Sequence, residues 1–158
     1  MMLTVVEVIP PVDAVDCSDY YIALSLRFRP EAEVGLYCYF EQLCGGSNQG
    51  YLEVKVAADT GEIASFVALK LPVLGGDFPA DVPVVEGSVR LDLARWADLG
   101  DDPRIHSVNE RAPITVSRKD GSVYYSFSDV APERFAVSGS VGFGIGPDNE
   151  LTGMMINA

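Results

Sequence analysis

Apolar and polar residues alternate along most of the chain, which is the period of a strand with one buried face. Over 20–28, Ile22, Leu24, Leu26 and Phe28 fall on one side, with Ala23, Ser25 and Arg27 on the other. Over 35–43, Leu36, Cys38 and Phe40 oppose Tyr37, Tyr39 and Glu41. Leu52, Val54 and Val56 alternate with Glu53 and Lys55, then Asp59-Thr60-Gly61 supplies turn chemistry, with Gly61 suited to a positive φ. Ile63, Val67, Leu69 and Leu71 are expected to return along one face. The plan recurs around Lys119-Asp120-Gly121 and around Pro147-Asp148-Asn149. The spacing is uneven and the segments are unlike, so these are three local hairpins rather than a repeat array. An N-terminal strand over 3–9 stops at Pro10-Pro11, which cannot continue a ladder.

Two regions break the alternation. Residues 72–86 contain three prolines and the adjacent pair Gly75-Gly76, and read as an extended loop. Residues 98–113 are polar and acidic, and read as a second one. Long loops on a rigid scaffold are natural contact sites. Between them, Val89, Leu91 and Leu93 alternate like a strand, while Leu93, Trp96 and Leu99 are spaced like one short helix. So many strands cannot leave their edges bare. The chain is therefore expected to be mainly β, an antiparallel β-sandwich or a curved open barrel built from hairpins, with at most one short helix. Gly139, Gly142, Gly144 and Gly146 suit bends in a curved strand. The pairs Tyr20-Tyr21 and Tyr124-Tyr125 each put one ring on either face of a strand, where the outward ring is free to anchor a partner.

Composition narrows the class. The 158 residues suit one domain, 1–158, and 48% are hydrophobic, enough for a core without staples. Eleven Lys and Arg against 23 Asp and Glu give a net charge of −12. That balance repels phosphate backbones, so no nucleic-acid partner is expected, and it attracts basic proteins. The N-terminal segment lacks the features of a signal peptide, and no apolar run reaches the roughly 20 residues of a membrane helix. Three cysteines, an odd number without metal-ligand spacing, fit reduced thiols in a cytoplasm, with no membrane partner.

The candidate chemistry is thin. Cys44 precedes Gly45-Gly46, whose amides could face an oxyanion, but no helical run follows to lower the thiol pKa. The turn residues Gly45, Gly46, Ser47, Asn48 and Gly50 favour a plain strand connection instead. His106, the single histidine, cannot build a histidine-rich metal site. The run Asp98, Asp101 and Asp102 lacks the alternating ligands of a calcium loop and reads as a solvated acidic loop. The glycines of 139–146 do not sit between a strand and a helix, as a dinucleotide fingerprint requires. No catalytic residue, metal ligand or cofactor is expected.

The segments YLEVKVAADTGEIASFVAL and VGFGIGPDNELTGMMI resemble hairpins of bacterial immunity proteins from polymorphic-toxin and contact-dependent inhibition systems. The resemblance implies a non-catalytic protein that binds and neutralises a cognate toxin, often a nuclease with a basic active-site face. It carries no functional residue across. The charge agrees with it, and the loop carboxylates Asp77, Asp81, Asp98, Asp101 and Asp102 are the expected partner-binding residues for a basic toxin. The alternatives are a small β-sandwich enzyme, which predicts a concave polar pocket, and a ligand-binding accessory domain, which for sugars predicts an exposed aromatic row.

Overall fold

The computed structural model describes residues 3–22, 24–28, 35–44, 47–70, 74–97 and 107–157. The N-terminal strand β1 (Val5–Ile9) ends where Pro10 removes the next donor. There follow β2 (Val15–Asp16), β3 (Leu24–Arg27), β4 (Gly35–Cys44), β5 (Ser47–Ala57) and β6 (Ile63–Lys70). Next come β7 (Val84–Glu86), β8 (Ser88–Leu91), the single helical turn α1 (Ala94–Ala97) and β9 (Ser107–Arg111). The C-terminal third is β10 (Thr115–Lys119), β11 (Ser122–Ser126), β12 (Arg134–Ser138), β13 (Val141–Ile145) and β14 (Leu151–Ile156).

These strands form two six-stranded sheets and a two-stranded ribbon. The first sheet runs β2-β3-β6-β5-β4-β9, the second β10-β11-β14-β13-β12-β7, and β1 pairs with β8 in the ribbon. The protein is mainly β, with no closed barrel among the described residues. Aromatic contacts join the inner faces of the two large sheets as a sandwich. Phe40 stacks on Phe127 at 4.4 Å, Phe28 meets Phe143 at 5.5 Å, and Phe66 meets Tyr125 edge-on at 5.8 Å. The ribbon closes one end of this core with Leu3 beside it and with Val5, Val89 and Leu91, all buried.

The turns behave as their residues dictate. Asp120 (φ 51°) and Gly121 (φ 84°) form a two-residue loop with both φ positive, the twist a tight hairpin needs. Asn149 takes φ 61° in the β13–β14 turn, and Gly61 takes φ 79° in the β5–β6 turn. The expected alternation also holds on β4 and β5, where Cys38, Phe40, Leu52, Val54 and Val56 are buried.

Five expectations need correction. On β6 the buried set is Ile63, Ala64, Phe66 and Ala68, while Val67 is half-buried and Leu69 is 43% exposed. Val56 pairs with Ile63 but Lys55 pairs with Ser65, so a bulge inserts one residue and reverses the faces beyond it. Leu71 lies outside the described residues. The strand expected over 20–28 starts only at Leu24, because Asp19 accepts hydrogen bonds from the amides of Tyr21 and Ile22, both at 2.8 Å. That side chain builds a local turn where a ladder would otherwise run. The strand connection expected over 45–50 is shorter than its turn residues suggest: Ser47, Asn48 and Gly50 belong to the ladder, with Leu43 opposite Asn48 and Cys44 opposite Ser47 beyond a bulge at Gln42, while Gly45 and Gly46 lie outside the described residues. Each long loop ends in a strand that pairs in parallel. Val84–Glu86 joins β12 and Ser107–Arg111 joins β4. The remainder of the acidic loop, with Asp98, Asp101, Asp102 and His106, lies outside the described residues.

The glycines of the last hairpins serve close approach as much as bending. A Cβ on Gly153 would stand 2.5 Å from the Tyr124 hydroxyl, and one on Gly144 3.1 Å from it. Gly61 is more constrained still, since a Cβ there would lie 2.5 Å from the Leu91 carbonyl oxygen. Gly61→Ala therefore combines a left-handed φ with a backbone clash and is expected to destabilise the protein by about 2 kcal/mol. Urea unfolding of the variant against wild type measures this, and equal midpoints would mean the turn does not depend on glycine.

Candidate functional site

The second sheet carries its own cover. Leu74 bridges Val116, the Gly75 amide donates to the Val116 carbonyl at 3.0 Å, and the chain then arches over the outer face. Phe78 and Val82 from this arch pack on Tyr124, Phe135, Met155 and Val137, a second small apolar cluster. Asp77 and Asp81 alternate outward from those apolar residues and are exposed. Clefts flank the arch. One, of about 400 Å³, is bordered by Asp81, Asp120 and Lys119 over a floor that includes Phe135 and Met155. The other, of about 460 Å³, is bordered by Asp77 and Asp129 and reaches Tyr124. Thus the structure brings two of the expected partner-binding acids onto one arch and adds Asp120 and Asp129 beside them.

The chemistry at Tyr124 is that of a held proton. Its hydroxyl shares a 3.0 Å hydrogen bond with Thr152. Burial pushes its pKa up to about 12, and the Thr152 bond pulls in the other direction. A phenol so placed keeps its proton near neutral pH. Among the described residues no three His, Cys, Asp or Glu side chains gather as a metal site. Cys38 is buried in the core, Cys17 is exposed, and Cys44 ends a strand.

A different surface was hidden in the letters of the sequence. Val15–Asp16 pair with β3, and the chain then turns through Cys17–Ile22. Asp16 accepts from the Ser18 amide at 2.8 Å, and Ser18 Oγ accepts from the Ser25 amide at 3.0 Å. The side-chain hydroxyl and then the amide of Ser18 hold the Asp16 carboxyl below its usual range. With Asp19 capping the amides of Tyr21 and Ile22, Tyr20 and Tyr21 project almost fully, 94% and 89% exposed. Their rings meet edge-to-face at 5.3 Å. Asp13, Asp16 and Asp19 lie on the same short segment without a basic residue among them. Tyr124 and Tyr125 do straddle their strand as expected, Tyr125 inward on Phe66 and Tyr124 outward under the arch. Tyr20 and Tyr21 instead sit off the ladder. The sequence signal for this was the Ser-Asp-Tyr-Tyr run, in which an aspartate precedes two aromatics and competes for the amides two and three residues on.

The outer face of the first sheet holds a row of half-buried tyrosines rather than the exposed aromatic row that a sugar-binding domain would need. Tyr37 and Tyr39 lie parallel at 6.1 Å, and Tyr51 tilts against Tyr39 at 5.5 Å. The Lys55 ammonium sits over the Tyr37 ring at 5.8 Å. The ring faces are therefore turned largely toward neighbours, which leaves little flat platform for a pyranose.

Tyr124 generates a pH test. Its folded pKa of about 12 lies above the usual 10.0, so the unfolded chain loses this proton first. Its contribution to stability is complete below pH 10 and declines as pH climbs toward 12. Tyr124→Phe should make the alkaline loss of stability shallower, measured by urea unfolding across that range; an unchanged slope would place the titrating group elsewhere. No protein family and no curated protein matches the chain, so these geometries alone carry the functional assignment.

Proposed function

We propose that this protein is a non-catalytic, immunity-type binder that docks on a basic protein toxin and blocks it. The observation that carries the proposal is the acidic tyrosine turn, where Tyr20 and Tyr21 stand in solvent beside Asp13, Asp16 and Asp19. Large aromatic side chains are normally covered, and exposed ones concentrate binding energy when a partner excludes water around them. The hydrogen bonds from Ser18, Tyr21 and Ile22 fix the loop beforehand, so little ordering remains to oppose association. A lysine or arginine of the partner gains both a carboxylate and a ring face there.

The charge of −12 supports the same partner class by long-range attraction. Asp77 and Asp81 on the arch, with Asp120 and Asp129 at its clefts, add a second acidic area that speeds encounter. Asp98, Asp101 and Asp102 belong to the proposed partner-facing acids by sequence alone. A bacterial cytoplasm, where the toxin would otherwise act, is the compartment that fits this role.

The test uses a candidate toxin domain, sought in the neighbouring upstream gene and expressed with and without the protein. Co-production should restore growth, and Tyr20→Ala and Tyr21→Ala should each weaken binding by about 10- to 100-fold. Growth inhibition unrelieved by the protein, with no measurable complex, would remove the proposal. Charge reversal at Asp77 and Asp81 tests steering separately. Association should slow several-fold and lose part of its salt dependence, while dissociation changes little. An association rate indifferent to both salt and reversal would leave the acids without a role in encounter.

A further inference from the structure

The arch over the second sheet is tied at both ends. Leu74 and Gly75 fasten it to Val116 of β10, and beyond it the Pro83 carbonyl accepts from the Phe135 amide at 3.0 Å. Between these ties, residues 77–82 make no hydrogen bond to another described residue, and Phe78 and Val82 hold them by apolar packing. The larger of the two flanking clefts, about 460 Å³, falls within the roughly 300–1,000 Å³ of small-ligand sites. All of its walls belong to the described residues 76–80, 113–115 and 124–132.

Both walls are set in advance. On the arch side, a Cβ on Gly76 would stand 2.8 Å from Thr115 Oγ1, so the chain leaves β10 in close contact. The facing wall is the loop between β11 and β12. There Ser126 Oγ donates to the Ser128 carbonyl at 2.8 Å, and the Val130 amide donates to Ser128 Oγ at 3.0 Å. Pro132 backs onto Gly144, where a Cβ would stand 3.3 Å from it. Such walls need little ordering when a ligand enters.

The polar groups of the cleft are of two kinds. The hydroxyls of Tyr124 and Ser126 already have partners in Thr152 and the Ser128 carbonyl. Asp77 and Asp129, one on each wall, are exposed and make no hydrogen bond or ion pair with a described residue. None of the fourteen lining residues is Lys, Arg or His. Arg111 borders a neighbouring hollow that shares Asp129, yet the two do not pair. The cleft on the other side of the arch differs, because Lys119 at its border offsets the acids there. Phe78, Pro79, Pro113, Val130 and Pro132 supply flat apolar wall between the carboxylates.

We propose that this cleft binds a small organic cation, a protonated amine carrying a flat apolar body. Its ammonium faces the carboxylates of Asp77 and Asp129, and its body lies along Phe78 and the prolines. The ammonium supplies the hydrogen bonds that the two carboxylates lack, and the body takes apolar wall out of water. The net charge of −12 raises the concentration of cations near the surface. The cleft is separate from the acidic tyrosine turn, and its ligand does not depend on the toxin.

Titration of isotope-labelled protein with phenethylamine, to about 10 mM, reads affinity and place together from amide NMR shifts. The amides of 76–78 and 126–130 should move in concert, with a dissociation constant of about 1 mM. Phenethyl alcohol keeps the body and loses the charge, and should bind at least about tenfold more weakly. Asp77→Asn combined with Asp129→Asn should raise the constant for the amine about tenfold. Asp59→Asn combined with Asp148→Asn removes the same charge elsewhere and should change it less than about twofold. All four aspartates are exposed, and the comparison of amine with alcohol on the wild-type chain needs no variant. Shifts that are absent, or spread over the other acidic loops, overturn the proposal. So does an alcohol that binds as tightly as the amine, or an affinity indifferent to the change at Asp77 and Asp129.

Discussion

Everything in this fold depends on how the ribbon ties the two sheets together by backbone hydrogen bonds. The Leu91 amide donates to the Gly61 carbonyl at 2.7 Å, which fastens β8 to the β5–β6 turn of the first sheet. On the other strand of the ribbon, the Val5 amide donates to the Asn149 carbonyl at 2.7 Å and the Leu151 amide to the Leu3 carbonyl at 2.8 Å. Three sheets thereby share backbone hydrogen bonds at one end of the core. Glycine at 61 is the condition for it, because only a residue without Cβ lets the turn come so near the Leu91 carbonyl.

With the core closed in this way, the outer faces divide the labour. One sheet spends a Pro-rich segment on its own cover, and that cover presents Asp77 and Asp81 to solvent. The other keeps its tyrosines packed against one another. The edge of the first sheet supports the turn that holds Tyr20 and Tyr21 outward. Acidity and aromatic exposure coincide at that turn, whereas the tyrosine row of the first sheet is half-buried.

What the sequence disclosed follows the range of the forces involved. Hairpin turns are local, so Asp120-Gly121 and Gly61 announced themselves through the positive φ their positions demand. The alternation of β4 and β5 was legible because burial on one face imposes period two. The faces of β6 were not, since the bulge between Lys55 and Val56 is a property of the pair and not of either strand. β7 and β9 escaped notice because their partners, β12 and β4, lie dozens of residues away and the pairing is parallel. Asp77 and Asp81 were identifiable as loop acids, but the apolar cluster beneath them depends on Phe78 and Val82 reaching Tyr124 and Met155. The exposed tyrosines were misread for a further reason. Alternation placed them in a strand, and only the competing hydrogen bonds of Asp19 take them out of it.

Ser138 joins the two ends of the chain. Its hydroxyl donates to the Val12 carbonyl and accepts from the Val12 amide, both at 2.6 Å, across 126 residues of sequence. With β1 also waiting on Asn149 and Leu151, the first strand has no partner on that side until the last hairpin has been synthesised. During translation β1 can pair with β8, but its contacts to the last hairpin must wait until that hairpin emerges. Contacts of such sequence separation make folding slow relative to a helical domain of equal size. They also concentrate the risk of aggregation in the interval before the last hairpin forms, when Val5, Val6 and Val8 are held by β8 alone.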